Sequence, residues 1–191
     1  AGMDYDAGDT TLLYGKVSRG YKAGGFNPGE CVGSFDPEFL WSYEAGFKTT
    51  FADDQALLNM AAFYYDFSDI QFTTYIGNAS TIKNAAAATL YGLEAEYVLR
   101  PRALDGFQLD GSGSYIHSEY SDELLQDPTG LATLNIGGNQ LIRAPEWKLN
   151  FGAQFETEVA DLGTFLLRGE SSYTSEVFHD VFNGKAPFQA G

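Results

Sequence analysis

Trp41-Ser42-Tyr43-Glu44-Ala45-Gly46-Phe47-Lys48-Thr49-Thr50-Phe51 decides the fold. Every second residue, Trp41, Tyr43, Ala45, Phe47, Thr49 and Phe51, is apolar or small, and Ser42, Glu44, Gly46, Lys48 and Thr50 lie between them. Strand side chains alternate between two faces, so this stretch has one greasy face and one polar, charged face.

The same alternation predicts seven strands. They run from about Thr10 to Lys22, Glu38 to Phe51, Gln55 to Phe67, Thr89 to Leu99, Phe107 to His117, Trp147 to Glu156 and Thr164 to Thr174. The third is apolar on both sides, with Leu58, Met60, Ala62 and Tyr64 competing against Leu57, Ala61, Phe63 and Tyr65. Periodicity alone leaves its inward face open, and either a bulge or a plugged lumen face would account for two greasy sides. Ala52-Asp53-Asp54, Pro101 to Gly106 and Ala160 to Gly163 read as tight turns. Long links fill about Ala23 to Pro37, Ser68 to Ala88, Ser118 to Pro145 and the stretch after Ser175.

Short and long connections alternate, so one rim of an antiparallel meander is trimmed and the other elaborated. Outer-membrane barrels show that asymmetry, with short periplasmic turns and long external loops. Trp41, Trp147, Tyr97, Phe107 and Phe51 fall near strand ends on the greasy face, where an aromatic girdle belongs. The expected fold is all-β, an up-and-down meander forming part of a transmembrane barrel.

Composition agrees. Of 191 residues, 15 are Phe, 12 Tyr and 22 Gly, against 6 Pro and 2 Met, a bias toward strands. No apolar run approaches the roughly 18–20 residues of a spanning helix. A mean hydropathy of −0.21 still suits a barrel, whose inward residues dilute each strand. The net charge of −15 argues against nucleic acid as a partner. Cys31, the one cysteine, can form no internal disulfide.

Several stretches resemble the barrel of TonB-dependent outer-membrane receptors. They are Leu13 to Asn27, Pro37-Glu38 leading to Ser42 to Lys48, Ala62 to Phe67, Lys83-Asn84-Ala85 and Tyr91 to Glu96, in the family's order. That family builds a barrel of about 22 strands around a plug. The resemblance implies that residues 1–191 are a fragment from the C-terminal half of such a barrel. Neither a plug nor a signal peptide is expected in it, and the last strands are expected to be missing after Phe188-Gln189-Ala190-Gly191.

It further implies energised uptake of a scarce nutrient (a ferric siderophore, cobalamin or an oligosaccharide) across the outer membrane of a Gram-negative bacterium. The partners implied are outer-membrane lipid, lipopolysaccharide and, through the plug, the TonB complex. Neither enzyme chemistry nor a cofactor is expected. A passive porin and a soluble β-sandwich binding module are the alternatives.

Strand parity selects Lys16, Glu44, Lys48, Glu94, Glu96, Arg168 and Glu170 as candidates for the inward, substrate-facing surface. Glu94 and Glu96 share a face. They read as hydrated charges or as partners of Lys48 or Arg168, rather than as an acid–base pair. Phe26, Phe35, Phe72 and Tyr75 in the long links either stack on a bulky ligand or pack the loops together. His117 and His179 lack ligands at metal spacing, and no catalytic set is placed. Asn78-Ala79-Ser80 matches a glycosylation sequon, a pattern common by chance. The acids Glu119, Asp122, Glu123 and Asp127 read as a solvated loop.

Overall fold

The computed structural model describes residues 1–27, 33–76, 79–84, 86–127 and 132–184. Cys31, Asn78, Ala85 and Phe188–Gly191 lie outside them. The described strands are β1 (Gly2–Asp6), β2 (Thr11–Lys22), β3 (Gly25–Phe26), β4 (Ser34–Phe35), β5 (Glu38–Phe51), β6 (Ala56–Ser68), β7 (Gln71–Ile76), β8 (Ala79–Asn84), β9 (Ala88–Leu99), β10 (Phe107–Tyr120), β11 (Leu124–Gln126), β12 (Thr133–Asn135), β13 (Trp147–Glu158) and β14 (Thr164–Thr174).

Eight of these form one antiparallel sheet in the order β1-β2-β5-β6-β9-β10-β13-β14, which is the order of the chain. The wall is therefore a pure meander, as the sequence predicts. It contains eight strands rather than seven. β1 escapes the sequence pattern because five residues, Gly-Met-Asp-Tyr-Asp, give too short an alternation to recognise. β10 runs past His117 to Tyr120, because Ser118, Glu119 and Tyr120 still pair with Leu90, Thr89 and Ala88.

Residues opposed in an antiparallel ladder share a face, so the register sorts every side chain. One row reads Lys16–Glu44–Phe63–Gly92–Ile116 and its neighbour Val17–Tyr43–Tyr64–Tyr91–His117. This settles β6, which periodicity leaves open. Leu58, Met60, Ala62 and Tyr64 join the apolar face, and Leu57, Asn59, Ala61, Phe63, Tyr65 and Phe67 the polar one. No bulge interrupts the β5–β6 ladder.

The apolar face has no cover. Leu93 is 53 % exposed, Phe151 47 % and Leu167 61 %, and no second sheet lies against them among the described residues. That arrangement rules out the β-sandwich alternative, which needs those side chains sealed between sheets. Seven inter-strand spacings of about 4.8 Å and strands of roughly 40 Å make a face of about 1,300 Å². Soluble monomers expose apolar patches of about 300–600 Å². A 12-residue strand such as β2, tilted about 45°, rises roughly 28 Å, close to the hydrocarbon thickness of about 30 Å.

The short rim is tightly knit. Ala52, Asp53 and Asp54 all take left-handed backbone angles. The Gln55 amide closes that turn on the Ala52 carbonyl at 2.7 Å, and the Gln55 side-chain oxygen accepts from the Arg102 backbone N–H at 2.8 Å. Gly106 has φ +75° and a Cβ there would collide with the Glu156 carbonyl, so this turn admits no side chain. Ala160–Leu162 form one 3₁₀ turn between β13 and β14.

Among the described residues, the cluster of buried apolar side chains lies at the long-loop rim. Ala88, Tyr120, Ile136 and Phe182 are buried there, with Phe67, Ile70, Phe72, Leu125, Leu134, Leu141 and Val181 packed around them. The described parts of the long links carry hairpins β3–β4, β7–β8 and β11–β12 of their own.

Neighbours on β5 check the parity. Phe47→Cys in the intact protein should react with a lipid-soluble thiol reagent and Lys48→Cys with a water-soluble one. The reverse pattern would invert the faces.

Candidate functional site

All seven charged residues selected by parity lie on the polar face. Lys16 opposes Glu44, Lys48 opposes Asn59, Glu94 lies between Ala61 and Ser114, and Glu96 between Asn59 and Ser112. On β14, Arg168 opposes Gln154 and Glu170 opposes Gly152. The strands divide the set into two groups, because five of the seven sit on β2, β5 and β9.

In the first group Tyr14, Tyr65 and Phe63 mix aromatic surface with the charges. Tyr14 lies within reach of the Glu44 carboxylate. A depression of about 200 Å³ is bordered by Tyr14, Lys48, Asn59, Glu94 and Glu96. Alternation in the sequence puts Tyr14 on the same side of β2 as Lys16, but Tyr65 lies on β6, which periodicity does not orient.

Glu94 and Glu96 do not pair with Lys48 or Arg168. Ion pairs within 4.0 Å among the described residues are Arg102–Asp53, Arg168–Asp110 and Arg168–Glu170, and the His117 ring lies 3.8 Å from Glu119. Of the two readings of these glutamates, hydrated or paired across strands, the paired one is not met among the described residues. Arg168 is committed to Asp110, and Glu94 and Glu96 stand among Asn59, Ser112 and Ser114.

The second group is a fork. The two terminal nitrogens of Arg168 each donate to one oxygen of Asp110 at 2.8 Å, and Nε donates to Glu170 at 2.6 Å. Gln108 donates to Asp110 at 2.9 Å and accepts from Arg100 Nε at 2.8 Å. Such bidentate pairs fix orientation as well as charge. Asp110 is on β10 and Arg168 on β14, so the bridge crosses β13 over Gly152. A Cβ at Gly152 would sit 2.6 Å from Asp110 Oδ2 and 2.7 Å from Arg168 Nη2, so glycine leaves the passage open. The broader depression beside it, about 570 Å³, is bordered by Glu96, Asp110, Ser112, Asn150, Arg168 and Glu170.

The four aromatic candidates part company at the long-loop rim. Phe72 packs on the buried cluster, its ring centroid 5.6 Å from that of Tyr120. Phe35 lies against Gly25, opposite it in the β3–β4 pairing. Phe26 is 84 % exposed. Tyr75 opposes Ser80 in the β7–β8 hairpin.

Polar side chains that sequence reasoning overlooked tie these links together. Asn27, buried, donates to the Ile82 carbonyl at 2.8 Å and accepts from the Ile82 N–H at 2.7 Å. The Gln71 amide reaches the carbonyls of Ala23 and Asp36, each at 3.0 Å. Asn84 donates to the carbonyls of Asp36 and Asp69 at 2.8 and 2.7 Å. All but the Asn84–Asp69 contact join residues 35 to 55 apart, so no local motif announces them.

Residues 1–188 match the family described as "TonB dependent receptor-like, beta-barrel". Over 119 residues, 60 % of the chain, it is 30 % identical to the pesticin receptor of Yersinia pestis, of which the match covers 17 %. Among solved structures, the ferric yersiniabactin uptake receptor FyuA from Yersinia pestis superposes with a TM-score of 0.74 at 23 % identity. That superposition covers 96 % of this chain and 26 % of FyuA. The siderophore receptor PiuA from Acinetobacter baumannii gives a TM-score of 0.72 at 18 % identity, covering 95 % of this chain and 26 % of PiuA. The chain thus spans about a sixth of the curated relative's length and a quarter of the solved receptors.

Two expected outcomes test this geometry in the intact protein. Gly152→Ala should part the Arg168–Asp110 fork and lower the midpoint of thermal unfolding by about 1 °C, the small shift expected of a chain roughly four times as long as this one. Arg168→Gln added to it should lower it little further, because the two changes remove one interaction; full additivity would contradict the fork. Phe72→Ala should open the long links to limited proteolysis between residues 121 and 146, whereas Phe26→Ala should leave the cleavage pattern unchanged.

Proposed function

The chain belongs to the TonB-dependent receptor β-barrel family of the Gram-negative outer membrane, and from this we propose that the intact protein imports a scarce nutrient. The observation that carries the reading is the family match over residues 1–188, on a wall whose two faces differ so sharply in polarity. The substrate class best supported is a ferric siderophore, since the neighbours named above are ferric yersiniabactin uptake and siderophore receptors. Cobalamin and oligosaccharides are the other ligand classes of this transport chemistry.

In this reading the apolar face meets lipid and the polar face looks into the barrel. Lys16, Glu44, Lys48, Glu94, Glu96, Arg168 and Glu170 line the ligand's route or the surface against the plug. Phe26 offers a bulky ligand an exposed aromatic surface at the long-loop rim, while Phe72 holds the loops in place. Tyr75 and Phe35 lie on the hairpins that frame that surface. The ligand is moved rather than transformed, so its passage requires no catalytic group. The energy comes from the TonB complex pulling on the plug.

Uptake of radiolabelled ferric siderophore by cells carrying the intact gene should vanish on gene deletion and equally on removal of TonB. Uptake that survives loss of TonB would favour the passive porin. Phe26→Ala should weaken ligand binding about tenfold, the loss of one stacked aromatic anchor. Unchanged affinity would remove Phe26 from the ligand surface.

A further inference from the structure

On the apolar face of the eight wall strands, the register places four residues with acidic or basic side chains: Arg19, Asp66, His117 and Glu119. All four lie within three residues of the long-loop ends of their strands. A cation at the hydrocarbon midplane costs about 2–4 kcal/mol and one at the interface about 0–1. Their confinement to this end marks it as the level where lipid gives way to water.

His117 stands 3.8 Å from Glu119. Arg19 has no carboxylate within 4.0 Å among the described residues. Its guanidinium instead lies over Phe39, 4.5 Å from the ring centroid, and 5.5 Å from that of Trp41. The side chain is exposed. Asp66 is two strands along the same row, roughly 10 Å off, beyond contact. A guanidinium held over aromatic faces keeps its N–H edge for an anion and is only weakly hydrated.

An anion reaching this position must come from the lipid side, and the elaborated rim of such barrels faces outward. We propose that Arg19, seated on Phe39 and Trp41, binds a phosphate of a phosphorylated glycolipid of the outer leaflet, the lipid A part of lipopolysaccharide. The site rests on the barrel and its faces, and is independent of what the receptor transports.

Native mass spectrometry of the intact protein in detergent tests it, with bis-phosphorylated lipid A, dephosphorylated lipid A and phosphatidylglycerol as probes. The wild type should retain lipid A in preference to both other lipids. Arg19→Gln should lower the retained fraction about fivefold, the weight of one basic side chain at an anionic lipid surface. Arg19→Lys should keep part of the binding, and Lys148→Gln, on the opposite face, all of it. Equal retention by wild type and Arg19→Gln would overturn the site. Wild-type retention of dephosphorylated lipid A to the same extent would overturn it as well, whether or not the variant folds. Equal retention of phosphatidylglycerol, or displacement by millimolar inorganic phosphate, would overturn the glycolipid as ligand.

Discussion

A backbone that meets hydrocarbon has no water to bond, so every N–H and C=O of the wall must be satisfied by the next strand. The ladders meet that demand at the seams between neighbouring strands in chain order, with continuous pairing such as Thr11↔Thr49 through Lys22↔Glu38. Everything else follows from it. Ladders fix the register, register fixes parity, and parity sends Phe47 one way and Lys48 the other. The short-rim turns inherit the same rigour: Gly106 gives up its side chain so that β10 can start beside the end of β13.

A membrane wall of this kind has little use for a core, because lipid solvates one face. Burial therefore concentrates where the strands leave the apolar band. Tyr120 and Ala88 are the last residues of one ladder, and Ile136 and Phe182 come from separate long links to close over them. The Asn27, Gln71 and Asn84 amides satisfy backbone groups that no ladder reaches. Among the described residues the outcome is a packed rim seated on the ends of the wall strands, a footing for the ligand surface proposed above.

What the sequence reveals is whatever has period two. β5 and β14 were legible to their last residue because one face of each is apolar and the turns beside them are short. β6 was not, since Leu57 and Phe63 are as greasy as Leu58 and Tyr64, and only pairing with β5 orients them. Membership of the polar face was legible for all seven chosen charges, yet their partners were not. That Arg168 meets Asp110 depends on the stagger of β10, β13 and β14 together and on the gap at Gly152. No spacing within one strand encodes it. The division of labour between Phe26 and Phe72 was equally hidden, because it depends on where the segment around Phe182 comes to rest.

Arg168 and Arg19 carry the same group on opposite faces, and the wall treats them oppositely. Facing the polar side, Arg168 has carboxylates within reach on its own strand and two strands away, and it holds both. Facing the apolar side, Arg19 finds aromatic rings as neighbours and keeps its charge at the boundary of the hydrocarbon. A slip of one residue in the β13–β14 ladder would turn Arg168 and Glu170 toward the apolar face and part them from Asp110. Charges midway along a strand are expensive in hydrocarbon, so the fork opposes a slipped register as well as orienting its side chains.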